Sequence, residues 1–578
     1  MPRSLAFLLS LALAIAPAAR AQQTDSALLS VQRIYASRDF RGDVFGPARW
    51  FPTGTAYTTL EEVTGGGREI VRFDAASGQR EVLVPAARLT PEGASQPLTV
   101  EDYHWSPDQQ RLLIYTNSKQ VWRLNTRGDY WLLDRTSGRL RKLGQFAPPS
   151  TMMYAKFSPD GSRVGYVVEN NIYVEHLADG KIVQLTHDGS RTIINGNFDW
   201  VYEEELSLHD GWRWSPDGSS IAYWQLNADQ VRDFHLIRNS DSLYSQIIPI
   251  QYPKAGETNS AARIGVVSAA GGSTVWLNLP GDPRNNYPAR VEWADNNREL
   301  VVQYLNRLQN TLNLLLGDAA TGAVRTVLTE SDSAWVEVVD NLIWLDRGRR
   351  FTWVSERDGW QHVYSISRDG KDMRLLTPGD FDVLNVVGVD QAGGWLYYIA
   401  SPGNPTQRYL WRTRLDGRGR AQRLSPASLP GSHSYDAGPG VRWAFHTYSR
   451  FGTPPAMDLV ELPSHRSVRP LNPNARLRET VAKLKRGPVE FTSLRGADGV
   501  SLNAWIMKPA NFDSTRKHPV LFFVYGGPGS QTVLDSWGGS QYLWHLMLTQ
   551  KGYIVASADN RGTGARGRDW RKVIYRQL

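Results

Sequence analysis

The stretch FDWVYEEELS, residues 198–207, sets Glu203, Glu204 and Glu205 directly behind Asp199, Trp200 and Tyr202, in a chain of formal net charge +8. Adjacent carboxylates can neutralise and orient a cationic group through charge-assisted hydrogen bonds. More often such a run is a solvated face. The segments on either side read as packed β-structure, which makes the solvated reading worth testing. A second candidate lies near the end of the chain. HPVLFFVYGGPG reads as a fully apolar strand, Val520 to Tyr525, running into a glycine-rich turn. Tyr525 thus ends a strand at the carboxyl edge of a sheet, where α/β enzymes place their sites.

The elements that must position these residues are legible as repeats. WSPDQQRLLIYTN begins at Trp105, FSPDGSRVGYVVENNIYVEHL at Phe157 and WSPDGSSIAYWQLN at Trp214. Each is an aromatic, a Ser-Pro-Asp turn and a run of β-branched and aromatic residues. Weaker copies start at Trp50, Trp293 and Trp344, with further candidates at Gly388 and Gly440. The spacing, with one longer gap, matches propeller blades of four short strands. The expectation is about eight blades within residues 45–484. The texture then changes. VEFTSLRGADGVSLNAWIMKPA reads as a hairpin, a helical stretch covers Tyr542 to Gln550, and a second apolar strand starts at Tyr553. Strand, turn, helix, strand opens an α/β sheet rather than another blade.

Composition bounds the rest. A chain of 578 residues exceeds one ordinary core, and 21 Trp, 24 Tyr, 51 Gly and 32 Pro are the vocabulary of short strands and many turns. Arg3, the apolar run Leu5 to Ala16 and the small-residue site Ala19-Arg20-Ala21 predict a secretory signal peptide over 1–21, followed by an N-terminal arm over 22–44. No later stretch reaches the roughly 18 apolar residues of a membrane span. Secretion, to the periplasm, is expected. Without any cysteine the chain forms no disulfide and offers no thiolate ligand or nucleophile. Lys and Arg are scattered, with no five-residue basic run, so no nucleic-acid partner is expected.

The order of a propeller, then VYGGPGSQ, then ADNRGTGARG resembles the prolyl oligopeptidase clan of serine peptidases, and DWVYEEE narrows the resemblance to the dipeptidyl peptidase IV family. SERDGWQHVY, Ser355 to Tyr364, is a further stretch typical of it. The resemblance implies a β-propeller followed by the beginning of an α/β-hydrolase domain, residues 485–578. It implies that Glu204 and Glu205 grip the free α-ammonium of a peptide substrate and that Arg123 contacts a substrate carbonyl near that amine. It also implies that the Tyr525 hydroxyl contributes to an oxyanion hole. A homodimer is expected on the resemblance alone.

The family's serine, aspartate and histidine are expected beyond Leu578. No G-x-S-x-G elbow follows Tyr553, and Gly538-Gly539-Ser540-Gln541-Tyr542 lacks the trailing glycine. The expected activity is removal of N-terminal X-Pro or X-Ala dipeptides by a serine exopeptidase, with no cofactor and no metal, since the reaction is acyl transfer to water and no cluster such as H-E-x-x-H occurs. Two readings stay open. One is a tripeptidyl or other aminopeptidase of the same clan. The other is a non-catalytic propeller that binds peptide ends.

Overall fold

The computed structural model describes residues 25–577, apart from Gly65 and Asp498. The leader expected at 1–21 therefore lies outside the described residues. Eight antiparallel sheets follow one another along the chain, over residues 48–84, 102–142, 153–184, 193–276, 286–331, 344–375, 383–423 and 432–472. Seven have four strands in chain order, and the fourth has five. Within the fourth a separate hairpin, Asp233–Arg238 paired with Gln246–Gln251, is inserted, which accounts for the one long gap in the repeat.

The repeated motif turns out to be the turn between the first two strands of the second and third sheets, and between the second and third strands of the five-stranded fourth. Trp105, Phe157 and Trp214 each end a strand. The following serine then organises the reversal. Ser106 Oγ, Ser158 Oγ and Ser215 Oγ accept from the backbone N–H of Arg111, Arg163 and Ser220 at 2.9, 3.0 and 2.9 Å. Each also donates to the aspartate two residues on, Asp108, Asp160 or Asp217. The next residue closes the turn in the left-handed region, at φ +60° for Gln109, +70° for Gly161 and +69° for Gly218. That region suits glycine and strains any other residue type.

Apolar seams join each sheet to the next, and the series closes. Tyr103, Leu112 and Ile114 pack on Leu60 and Ile70 between the first two sheets. Tyr397, Ile399 and Leu410 pack on Val441, Ala444 and Val460 between the last two. Between the eighth and the first, Trp50 stacks on Phe445 with centroids 4.5 Å apart, over buried Tyr57, Trp443 and Leu459. The sheets thus form an eight-bladed ring closed by side-chain packing.

The expected α/β texture appears after residue 485. Val489–Arg495 and Ser501–Met507 form the hairpin, and Ile554–Ala558 pairs antiparallel to Ser501–Met507 on one side and parallel to Val520–Phe523 on the other. The apolar strand stops at Phe523, two residues short of the expected Tyr525, because the ladder ends at Phe523 opposite Ser557. Helix Gly539–Gln550 begins three residues earlier than read, and it buries Leu543, Leu546 and Met547 against Trp505, Met507 and Val555. Leu29 and Ile34 of the N-terminal arm join that same core. Val520–Phe523 is an edge strand among the described residues, with Val520 and Phe522 more than half exposed.

The turn geometry yields a paired test. Gln109→Gly should stabilise the fold by up to about 1 kcal/mol through relief of left-handed strain, and Gly218→Ala should destabilise it by about 1–2 kcal/mol. The added Cβ at Gly218 would also stand 3.2 Å from Pro159 Cδ. Thermal unfolding of the two variants should shift in opposite directions; shifts of the same sign would refute the turn assignment.

Candidate functional site

The carboxylate run sits on a helix of one turn, Trp200–Glu204, inserted between the strands Ile193–Asn195 and Trp212–Trp214 of the fourth sheet. Asp199 caps it, accepting from Tyr202 N–H at 3.1 Å, and the Ser260 hydroxyl donates to its other oxygen at 2.6 Å. Burial raises the Asp199 carboxyl above its ordinary range despite those donors. Phe198 and Tyr202 stack at 5.7 Å and face Trp224 and Tyr287, which fixes the helix to the blade. The aromatics of the motif are therefore the anchor, and the glutamates are what the anchor presents.

The three glutamates occupy three different environments. Glu203 is buried, and burial first, with the neighbouring Glu204 charge second, raises its carboxyl to about 7. Glu204 is half-buried, and Glu205, at the C-cap, is exposed. The pair Glu204 and Glu205 thus faces outward at the end of the helix where the peptide dipole disfavours negative charge. Such an arrangement carries a local electrostatic cost that a bound cation would relieve.

Arg123 reaches this helix from the second sheet. Strands Arg111–Val121 and Leu124–Asp134 are each 11 residues long, while the outer strands of that sheet pair only with 112–115 and 131–133. The distal half of the hairpin consequently projects beyond the blade. Its base is held by Asp129, which accepts from Asn117 Nδ2 at 2.8 Å and Ser150 N–H at 2.9 Å. Its tip is the pair Trp122 and Arg123, with Trp122 at φ +49°. Arg123 Nε donates to both oxygens of Glu204, at 2.7 and 2.8 Å. The ion pair bridges two blades, and among the described residues the two terminal guanidinium nitrogens make no hydrogen bond. The arginine side chain is 80% exposed.

Tyr525 lies past the end of its strand and is 74% exposed, with its ring beside Gly527, where an added Cβ would come within 2.6 Å of the ring. It belongs to the second structural unit, whereas Glu204, Glu205 and Arg123 belong to the ring. What joins the two units was not legible in the sequence. Gly567 N–H donates to Asp382 at 2.9 Å, and Arg568 pairs with Asp332 through two nitrogens at 2.7 and 2.9 Å. Lys572 meets Asp332 at 2.9 Å and Glu356 at 2.7 Å, and Arg571 also bonds Glu356. These contacts hold the Asp332 carboxyl at about 2 against the opposing effect of burial. Glu356 and Gly359 come from SERDGWQHVY, so that stretch is a docking surface for the short helix Arg568–Lys572. The signal that could have found it was a hairpin turn carrying two acidic residues, Glu356 and Asp358, in a stretch outside the repeated Ser-Pro-Asp motif.

Comparison with known proteins agrees with this architecture. Residues 106–455 match the model of the dipeptidyl peptidase IV N-terminal region, and residues 540–578 match that of the prolyl oligopeptidase family. A probable dipeptidyl-aminopeptidase B of Emericella nidulans is 30% identical over 81% of this chain and 54% of its own length. Dipeptidyl aminopeptidase B of Saccharomyces cerevisiae is 28% identical over 84% and 62%. The chain therefore spans little more than half the length of these curated relatives. The crystal structure of Porphyromonas gingivalis dipeptidyl peptidase 4 superposes with a TM-score of 0.88 at 31% identity, covering 95% of this chain and 76% of that one. With the N-terminal-region model matching well over half of its residues and the same two-unit architecture in a solved relative, the chain belongs to the dipeptidyl peptidase IV family of the prolyl oligopeptidase clan.

Proposed function

We propose that this chain contributes the amine-binding ring and part of the peptidase unit of a serine exopeptidase that removes N-terminal X-Pro or X-Ala dipeptides. In this reading the chain divides into a leader over 1–21, an arm over 22–44, the propeller over 45–484 and peptidase residues 485–578. The observation that carries it is the contact of Arg123 with Glu204, made across 81 residues of sequence beside a second, exposed carboxylate. An ammonium has three donors, and two carboxylates at the end of one helix accept from it without rearranging the backbone. Each such charge-assisted bond is worth about 1.5–3 kcal/mol. Arg123, already tethered through Nε, keeps its terminal nitrogens for a peptide carbonyl. Pinning the amine in this way fixes how far along the peptide the cut falls, and it selects free N-termini over acylated ones.

Tyr525 is assigned to the oxyanion. Its exposed hydroxyl follows the strand that leads to the carboxyl edge of the sheet, and a phenol there donates to the oxygen that gains charge in the tetrahedral intermediate. No residue of this chain is assigned as nucleophile. The relatives named dipeptidyl aminopeptidase or dipeptidyl peptidase favour dipeptide release over tripeptide release, and comparison of Gly-Pro with Ala-Ala-Pro chromogenic substrates distinguishes them. Export to the periplasm rests on the pattern of Arg3, Leu5 to Ala16 and Ala19-Arg20-Ala21. Among the described residues no helix is long and apolar enough to cross a membrane.

A homodimer is proposed through the inserted hairpin. Ile237 and Ile247 are cross-strand partners, 66% and 67% exposed, and Leu243 and Tyr244 at the tip are more exposed still. Apolar side chains in one exposed patch mark an association surface. The hairpin meets the amine site at its base, where Trp200 packs on Tyr252 at 4.4 Å and Tyr252 on Phe234 at 5.7 Å.

The glutamates give the central test, in a protein carrying the complete peptidase unit. Glu204→Gln or Glu205→Gln should lower kcat/KM for a free-amine X-Pro substrate about a hundredfold, roughly 3 kcal/mol. Glu203→Gln should change it little and act on stability instead. A carboxyl raised to about 7 destabilises the fold as a charge, an effect absent below pH about 4.3 and complete above pH about 7. The Gln variant should therefore melt higher than wild type at pH 8 and equally at pH 4. Small, equal kinetic effects from all three changes would return the run to a solvated face.

Tyr525→Phe keeps the ring and removes the donor. A loss of about 10²–10³ in kcat is expected, and an unchanged kcat in the folded variant refutes the oxyanion role. For the dimer, sedimentation of the chain should show a species of twice the mass that Ile237→Asp combined with Ile247→Asp converts to monomer. A wild-type chain that sediments as a monomer at micromolar concentration removes the dimer.

A further inference from the structure

Three histidines that no sequence motif joins meet inside the eighth sheet. His433 lies on strand Ser432–Ala437, His446 on Trp443–Arg450, and His465 in the turn between Thr453–Glu461 and Arg466–Asn472. One ring nitrogen of each falls within 4.8 Å of the other two. His433 and His446 are 3% exposed, and His465 is half-buried.

Hydrogen bonds fix the tautomers of the buried pair. His433 Nε2 is 2.8 Å from the Leu429 carbonyl, and His446 Nδ1 is 2.8 Å from Asp458 Oδ1. Asp458 lies directly opposite His446 in the strand pairing and meets it as a carboxylate. A carbonyl and an ionised carboxylate only accept, and each of those two nitrogens must therefore carry the ring proton. The remaining nitrogens, His433 Nδ1 and His446 Nε2, then present lone pairs to one another at 2.8 Å. The rings are tilted by only 16° with centroids 5.1 Å apart, so the two nitrogens meet nearly end to end. Two acceptors in that arrangement repel unless something positive stands between them.

We propose that His433 Nδ1, His446 Nε2 and His465 Nε2 bind a divalent transition-metal ion of the zinc class, with the Tyr435 hydroxyl as the fourth group. Tyr435 Oη is 2.6 Å from His465 Nε2 and 2.9 Å from Ser425 Oγ, so its proton has a second acceptor when the oxygen turns to an ion. A shared proton would need only two nitrogens, and the convergence of a third imidazole and a phenol oxygen is what a four-coordinate ion requires. Imidazole ligands suit zinc, copper and nickel rather than calcium or magnesium. The ring N–H groups pointing away from the centre are given to a carboxylate and a backbone carbonyl, the outer contacts that orient metal-binding histidines. The two lone pairs point along one line, so a tetrahedral site with zinc–nitrogen distances of about 2.0–2.1 Å requires the rings to turn until both nitrogens face the ion and stand about 3.3 Å apart.

The full chain, treated with chelator and desalted, should take up one equivalent of cobalt(II) with the visible absorption of a four-coordinate site. Zinc should displace the cobalt, and zinc should raise Tm in a concentration-dependent way. His465→Ala changes a half-buried turn and should weaken cobalt binding at least tenfold. Asp458→Asn, which touches no metal, should weaken it about 10–100-fold by loosening His446. Failure of the wild-type chain to retain cobalt overturns the site and leaves a shared proton in the gap. Retention with an unchanged spectrum and affinity in both variants overturns it equally, because the metal is then bound elsewhere.

Discussion

The structure depends on the seam where the ring closes. A blade buries one face on its predecessor and the other on its successor, so an open series would leave two apolar faces in water. Trp50 stacked on Phe445, with Tyr57 edge-on to the same phenylalanine, removes both at once. The two sides of this seam are nearly four hundred residues apart in sequence, so its closure carries the entropy cost of a long loop. Its consequences extend beyond the ring. The chain enters and leaves at that seam, where Asp43 N–H donates to Asn474 at 2.9 Å and Asn472 donates to the Asp43 carbonyl at 2.7 Å. Closure therefore delivers the N-terminal arm and the start of the peptidase unit to the same place, and Leu29 and Ile34 enter a core with Leu477, Val481 and Leu546.

On the opposite side of that unit the joint is ionic. Arg571 and Lys572 are each 6% exposed and meet Asp332 and Glu356, themselves nearly buried. Charges so far from water gain little net stability from one another, because the attraction is set against their desolvation. They do penalise any other seating, since a displaced helix would leave four buried charges unpaired. The apolar seam supplies adhesion and the ionic joint supplies register.

This division explains what the sequence disclosed. The blades were legible because three of them repeat one turn, Ser-Pro-Asp with a left-handed closing residue, whose serine hydroxyl bonds within five residues of itself, and the others keep its opening aromatic or glycine at a similar spacing. The strand, helix and strand after residue 485 were legible from apolar runs and periodicity. Glu204, Glu205 and Arg123 could be named from motifs, but the contact of Arg123 with Glu204 could not be derived, because it depends on how far a hairpin overshoots its sheet. That overshoot is encoded only as strand length, 11 residues where neighbouring strands have six to eight. The ionic joint and the histidine cluster were illegible for the same reason. Their members lie on different strands, blades or units, and no local pattern marks a residue whose partner is chosen by tertiary packing.

Among the three glutamates, chemistry and stability divide by depth. Tyr202 and Glu203 are buried and Asp199 is half-buried, and burial raises both carboxyls. Neutralising Glu203 removes one of three like charges from the neighbourhood of Glu204, so the deep carboxyl, when protonated, lessens the repulsion within the run. Arg123 offsets a further part of that repulsion from outside, through a side chain that is 80% exposed. The carboxylate pair is thus supported from below by a group that sheds its charge and from above by one that lends its own. A fully solvated run would need neither support.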